Sequence, residues 1–165
     1  MKFMRQIWVT AFLTIGIFSA ILYSACSKDN CNNVACQNGG SCDGGNCICA
    51  SGFEGNRCQT PSRDKWIGNY NGGDSCGTDG NHQYPIHLLA VLNKPTQMVM
   101  ENILNNTNDS AICNVYATDS FSFNGSNNSV TYRGSGRISN DSLFMSYHVQ
   151  YDTMNYDCKY SGLRY

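Results

Sequence analysis

Cysteine is the residue type in this chain whose number and spacing could do chemistry, because thiols form disulfides, bind metal ions or act as nucleophiles. The sequence has ten cysteines, and six of them lie between Cys31 and Cys58. These six include no C-x-x-C pair and have no neighbouring histidine, whereas zinc sites are usually built from such pairs and ligands. The cluster therefore predicts a disulfide framework, formed in an oxidising compartment.

The N-terminus carries an export pattern. Lys2 and Arg5 come first, and residues 6–27 then contain no charged side chain. A positive segment followed by an apolar one is typical of a signal peptide. Because the uncharged run of 22 residues also reaches the length of about 20 that a membrane span needs, a retained transmembrane helix is the alternative.

A lone cysteine, Cys26, ends this apolar run, directly after the small residues Ser24 and Ala25. The sequence "YSAC" resembles the lipobox of bacterial lipoproteins. The resemblance implies that residues 1–25 are a signal peptide that is removed, that Cys26 carries diacylglyceryl and a further acyl chain such as palmitate, and that residues 26–30 form a lipidated tether. Two or more acyl chains anchor a protein stably to membrane lipid, so we expect it in the cell envelope, at the outer membrane and exposed on its surface.

The six clustered cysteines have the spacing C-x4-C-x5-C-x4-C-x-C-x8-C, and residues 49–58 read C-x-x-G-F-x-G-x-x-C. Residues 31–58 resemble an EGF-like domain of the compact kind found in tenascin-like proteins. The resemblance implies the disulfides Cys31–Cys42, Cys36–Cys47 and Cys49–Cys58, whereas six cysteines alone allow many pairings. A stretch this short cannot bury a self-sufficient core, so covalent bonds must hold it.

The turn of this module is predicted at Gly44-Gly45, where a tight hairpin needs the positive φ that glycine adopts without strain. Some EGF-like domains bind calcium through groups before the first cysteine and in this hairpin. The short hairpin of this module lacks the calcium-binding groups that the hairpin of such domains supplies. We therefore predict no calcium, and no other cofactor.

A linker is predicted at residues 59–64. After it, cysteines become rare and the sequence shows the alternating pattern of β-strands. About eight short strands, separated by turn clusters such as "NNTNDS", cover residues 65–165. Ser129–Gly134 and Ser135–Ser139 are predicted as separate strands. Alternation assigns one inward face, which in "LFMSYHVQY" comprises Leu143, Met145, Tyr147, Val149 and Tyr151. We predict a mainly β fold, with an antiparallel β-barrel or sandwich after the disulfide-rich module.

The predicted barrel contains three short motifs: W-x-G-x-Y at residues 66–70, "GSG" at residues 134–136 and the late cysteine of "YDCKYSG". Together they resemble small lipocalin-like β-barrel domains, which end many bacterial surface lipoproteins. The resemblance implies a barrel without catalytic activity.

Three further cysteines lie in the predicted barrel. In a closed meander the first and last strands are neighbours, so Cys76, just after the first strand, can reach Cys158 on the last. Cys113 then stays free, and we expect a buried thiol that packs as a small hydrophobic side chain. A catalytic thiol would need exposure and an electropositive partner, of which the sequence gives no local sign.

Motifs for catalysis or metal binding are absent: the chain has no G-x-S-x-G, no H-E-x-x-H and no phosphate-binding loop. His82, His87 and His148 are scattered over a loop and two strands, and we predict surface histidines rather than metal ligands. With 11 basic and 12 acidic residues, the chain lacks the basic footprint of a nucleic-acid partner. "DSA" and "DSL" resemble an O-glycosylation acceptor pattern of some exported bacterial proteins, which implies Ser110 and Ser142, in predicted turns, as acceptors.

These features predict a lipid-anchored cell-envelope protein that binds a protein or a glycan and is not an enzyme. One alternative is a lipocalin-like carrier of a small apolar ligand, since an eight-stranded barrel can hold one. Another is an envelope enzyme with dispersed catalytic residues, which would need several polar side chains in one cleft.

The anchor can be tested by mass spectrometry of the protein purified from its native host. We expect the mature N-terminus at Cys26, with the mass of a diacylglyceryl group on its thiol. A Cys26→Ser variant should keep an unprocessed N-terminus and carry no lipid. An intact Met1 on the wild-type protein would instead indicate a membrane-spanning segment.

Overall fold

A computed structural model describes residues 30–77, 82–127 and 129–165. Cys26, the predicted signal peptide and most of the predicted tether lie outside these residues. The described part consists of β-strands and two short 3-10 turns, Asn30–Asn33 and Ile103–Asn105. None of the residues described belongs to a helix with the length and hydrophobicity of a membrane span. The predicted mainly β fold is confirmed.

The cysteine-rich module, residues 30–61, contains two small hairpins. Strand β1 (Ser41–Asp43) pairs with β2 (Asn46–Ile48), and β3 (Phe53–Glu54) pairs with β4 (Thr60–Pro61). Gly44 and Gly45 have φ of 55° and 91° in the first turn, as the predicted hairpin requires. Three disulfides cross-link the module, and they join the pairs that the sequence resemblance implies: Cys31–Cys42, Cys36–Cys47 and Cys49–Cys58.

The remaining strands form a closed antiparallel barrel. In chain order they are β5 (Gly68–Cys76), β6 (His82–Ala90), β7 (Gln97–Glu101), β8 (Ser110–Ala117), β9 (Ser120–Asn127), β10 (Val130–Ser139), β11 (Ser142–Tyr151) and β12 (Met154–Arg164). Each strand pairs with the next along the chain, and β12 pairs with β5 to close the ring. Of the two architectures predicted, barrel and sandwich, the structure is the barrel.

One strand assignment was wrong. The predicted strands Ser129–Gly134 and Ser135–Ser139 form the single strand β10. Two glycines of β10 lie where a side chain has no room: a Cβ on Gly134 would lie 2.4 Å from the Cβ of Tyr147, and one on Gly136 would lie 2.3 Å from the Phe121 ring. Glycine inside a strand often marks such a close approach rather than an end.

The inward side chains fill the barrel. Trp66 lies edge-on against Phe121, with ring centroids 5.0 Å apart. The hydrophobic core side chains are only 0–5% exposed, whereas an open ligand cavity would leave its lining accessible. Of the predicted inward residues of β11, Tyr151 is the exception, because it ends the strand and is 46% exposed. The described residues thus form a packed interior.

The predicted linker, residues 59–64, is bonded on both sides. Thr60–Pro61 forms β4 of the module, and the amide of Ser62 donates to the carbonyl of Gly52. The amide of Arg63 donates to the carbonyl of Pro95 in the β6–β7 turn, at 3.1 Å. Lys65 and Glu54 form an ion pair at 2.9 Å. The module and the barrel are therefore joined by contacts as well as by the chain.

A fourth disulfide, Cys76–Cys158, joins the strands that close the barrel. The two residues lie directly opposite each other in the β5–β12 register. Because 82 residues separate them in sequence, the bond restricts a long loop of the unfolded chain.

Replacement of both cysteines, Cys76→Ser with Cys158→Ser, should lower the free energy of unfolding by about 4 kcal/mol in the chain-entropy account of disulfides. The far-UV circular dichroism spectrum should keep its strand signature, because strand pairing surrounds the bond. Urea titration measures the loss. The pair Ser75→Ala with Lys159→Ala, adjacent in the same register, is the control and should leave the midpoint nearly unchanged. A cysteine variant that unfolds at the same urea concentration as the wild type would contradict the expectation.

Candidate functional site

A row of mostly short polar side chains crosses the outer face of the barrel. Each member lies directly opposite the next in the strand register, from β8 through β9, β10, β11 and β12 to β5. We call it the serine row, and its residues are Asn114, Ser122, Ser135, Ser146, Lys159 and Ser75. With neighbouring strands about 4.8 Å apart, the row measures about 24 Å along its contour. Because it crosses six of the eight strands of a closed barrel, it curves around the outside of the barrel.

Mostly longer side chains flank the serine row, with serines at two of the flanking positions. Residues two positions along each strand share its face. On one side these are Asn124, Arg133, His148 and Asp157, and on the other they are Ser120, Arg137, Phe144 and Ser161. Two adjoining depressions of about 970 and 560 Å³ follow the row and share Ser75, Ser146 and Lys159. We call this combined groove the trough.

Three cations of the trough have no carboxylate partner within the described residues. They are Arg133, Arg137 and Lys159, all exposed. The other basic residue of the barrel strands, Arg164, contacts Asp141 at 3.7 Å and lies over the Tyr70 ring. The free positive charge of the barrel strands is therefore concentrated on one face.

Two neighbours modify this charge. The Arg137 guanidinium lies over the Phe144 ring, 5.0 Å from its centroid, which favours one orientation of the side chain. The Asp157 carboxylate lies 3.0 Å from Nδ1 of His148, at the edge of the trough. The face thus combines three unpaired cations with one carboxylate that already has a partner.

An exposed aromatic side chain stands at one end of the trough. The β8–β9 register shifts between Val115 and Ala117, and such bulges re-aim a side chain. Tyr116, between them, is 64% exposed. It lines both the trough and a smaller depression of about 270 Å³ that includes Gly52 and Glu54 of the cysteine-rich module. The trough therefore ends where the barrel meets the module.

The three histidines lie at separate places. The Nδ1 atom of His87 lies 2.7 Å from Oδ1 of Asn69, and His148 contacts Asp157. His82 lies 3.9 Å from the Asp74 carboxylate. No group of three histidine, cysteine or acidic side chains comes close enough to hold a metal ion in the part of the chain that the structure describes.

The two predicted glycosylation acceptors begin strands rather than lying within turns. Ser110 is the first residue of β8 and is exposed, whereas Ser142 is the first residue of β11 and is half-buried. Asp109, which precedes Ser110, is buried and accepts a hydrogen bond from the Asn127 amide. Ser110 is the more accessible acceptor of the two.

Cys113 has no disulfide partner and is buried in the barrel core. Burial raises the pKa of its thiol to about 12. The thiol is therefore neutral at ordinary pH, which is the opposite of what a nucleophile requires.

A polar cluster does occur inside the barrel. The Asp74 carboxylate accepts hydrogen bonds from the hydroxyls of Tyr84, at 2.7 Å, and Tyr147, at 2.8 Å. The three residues are only 2–4% exposed, and burial raises the pKa of both phenols well above the usual value. The cluster satisfies its own polar groups and gives a substrate no access.

Comparisons with known proteins identify no family for this chain. No protein-family model matches it, and no curated protein matches it. Two chains of solved structures match. One is described as a structural genomics target of unknown function from Bacteroides ovatus; it is 13% identical with a TM-score of 0.40, and the match covers 60% of this chain and 42% of that chain. The chain thus spans less than half the length of that protein.

The trough was missed at the sequence level. Of its basic and aromatic residues, only His148 was singled out there, as a surface histidine. The available signal was the alternation in "RGSGR", where Arg133, Ser135 and Arg137 share one face of a strand.

The buried phenols predict a loss of stability in alkali. An unfolded tyrosine ionises near pH 10, while burial keeps Tyr84, Tyr147 and Tyr160 protonated in the folded state. Above about pH 10 the unfolded chain therefore binds fewer protons than the folded one, so the free energy of unfolding falls as pH rises and is unaffected by these groups below it.

Urea titrations at a series of pH values measure this slope, and phenolate absorbance should increase together with unfolding. Tyr147→Phe should reduce the slope, whereas replacement of the exposed Tyr165 by Phe should not. Full ionisation of all tyrosines in a still-folded protein would contradict the expectation.

Proposed function

We propose that this chain is a non-catalytic binding protein of a bacterial cell envelope, and that it binds an extended polar ligand in the trough. The observation that carries the proposal is the serine row, six directly opposed residues flanked mostly by larger side chains. A groove about 24 Å long is far longer than one small molecule requires. Its length suits a flexible chain-like ligand that follows the row around the barrel surface.

The packed interior favours this outer site over the carrier function. Met98, Met100 and Phe121 fill space that a lipocalin-like carrier would leave for its ligand, and each is fully buried. The enzyme alternative finds little support in the described residues, because the convergent polar cluster around Asp74 is closed to substrate. A binding function needs neither a cavity nor an activated group.

The lipobox resemblance supports the envelope location, and four disulfides are consistent with an oxidising compartment. In this proposal Cys26 is acylated and residues 26–30 tether the chain to the outer membrane. The EGF-like module then stands between the lipid and the barrel. Its bonded joint with the barrel, through Arg63 and the Lys65–Glu54 ion pair, holds the trough at a fixed orientation to the module.

The trough can be tested by filling it. Ser135→Tyr adds a large side chain to the middle of the serine row, at an exposed strand position where tyrosine is favoured. The full chain, purified in detergent and screened against glycan and envelope-protein arrays, should yield a partner whose binding this variant reduces at least tenfold. Ser126→Tyr is the matched control, because Ser126 is an exposed serine of β9, four residues from Ser122 of the row.

Ser126→Tyr should bind like the wild type, and both variants should unfold at the wild-type midpoint. Equal binding by Ser135→Tyr and the wild type would show that the ligand uses another surface. A screen without any specific partner would contradict the proposed function.

A further inference from the structure

We propose that the ligand of the trough is an anionic glycan, a linear saccharide chain with carboxylate or sulfate groups. This inference rests on the proposed function and adds the chemical class of the ligand. It is carried by the position of the three unpaired cations relative to the serine row.

The cations are placed to contact one chain at several points. Arg133 and Arg137 flank Ser135 on the same strand, two residues to each side, so their Cα atoms are about 13 Å apart. A chain that follows the row therefore passes between them. Lys159 lies in the row itself, two strands from Ser135, or about 10 Å further along. This arrangement fits a polymer with repeated negative groups better than a single anion.

The chemistry of the two arginines suits carboxylate and sulfate. A guanidinium offers a planar fork of donors that binds two oxygens at once. The Phe144 ring below Arg137 limits the freedom of that fork, so less side-chain entropy is lost when a ligand binds. No carboxylate among the described residues competes for Arg133 or Arg137.

The floor of the trough suits hydroxyl groups. The side chains of Ser75, Ser122, Ser135 and Ser146 make no hydrogen bond with another described residue. Each hydroxyl can donate one hydrogen bond and accept others, which matches the mixed donor and acceptor character of sugar hydroxyls. Tyr116 presents an exposed ring at one end, against which the apolar face of a sugar can pack.

Other chain-like ligands fit less well. A peptide that adds a strand needs an unpaired sheet edge, and this closed barrel has none in its ring of paired strands. Single-stranded nucleic acid binds by stacking bases on several aromatic side chains, whereas serines line this floor. The basic charge with a hydroxyl floor therefore favours an anionic glycan.

The test is calorimetric titration of the full chain in a neutral detergent. The probes are oligogalacturonate, which carries carboxylates only, a heparin oligosaccharide, which carries sulfates as well as carboxylates, and a neutral galactan oligosaccharide. At least one anionic probe should bind, the neutral one should not, and binding should weaken as salt is added. Binding of oligogalacturonate would show that carboxylates suffice, whereas binding of heparin alone would show that sulfate groups are required.

Arg133→Gln, Arg137→Gln and Lys159→Gln should each weaken binding about tenfold, the magnitude typical of a hydrogen bond to a charged group. Lys94→Gln, which removes an exposed charge from the β6–β7 turn, is the control and should bind like the wild type. Arg137→Lys should recover only part of the affinity, because an ammonium group cannot replace the guanidinium fork.

Failure of the inference can be distinguished from failure of the proposed function. If the protein binds only neutral glycans or proteins, and Ser135→Tyr still blocks binding, the inference of an anionic ligand is wrong but the proposed binding site in the trough is supported. If anionic glycans bind but Ser135→Tyr has no effect, the trough itself is wrong. If no anionic probe binds, the inference is overturned.

Discussion

Closure of the barrel between β5 and β12 is the contact on which the rest of the structure depends. Gly72 and Gly162 lie directly opposite each other there, and a Cβ on Gly72 would lie 2.0 Å from the carbonyl oxygen of Ser161. A Cβ on Gly162 would lie 2.6 Å from the hydroxyl of Tyr160, so this glycine makes room for Tyr160, whose hydroxyl donates to the carbonyl of Tyr70 at 3.0 Å. One aromatic residue thereby fills the interior next to the seam, while Cys76–Cys158 holds the same two strands together.

Closure also decides where a ligand can bind. Alternate residues of each strand point inward and outward, so the strands that build the core also build the trough. Ser122 lies between Phe121 and Phe123, and Ser146 lies between Met145 and Tyr147. Since the inward members of these strands are large and pack against each other, the interior is full. Ser122 and Ser146, on the outward face, are short, and the same alternation that fills the interior leaves the row on the outside.

The sequence predicted those features that depend on local spacing. The disulfides of the module were implied by the resemblance that the cysteine pattern of residues 31–58 carries, and alternation within single strands predicted a barrel or a sandwich. The trough depends instead on register, since Ser122, Ser135 and Ser146 meet only because three strands pair at particular positions. A shift of one residue would turn each serine inward. No local sequence pattern specifies this strand register. It is set by how the inward side chains of neighbouring strands pack against each other.

The contact between the module and the barrel depends both on a local sequence motif and on tertiary packing. Gly52 belongs to the motif by which residues 49–58 resemble an EGF-like domain, and its φ of 90° favours glycine for local reasons. It also packs on the β6–β7 turn, where a Cβ would lie 2.9 Å from Thr96 Cγ2 and 3.0 Å from Pro95 Cγ. A residue that a small stapled module needs for its own turn therefore also permits close docking to the barrel. Because that docking ends beside Tyr116, the module forms a boundary of the trough, and in the proposed binding mode it would limit how far a bound chain extends.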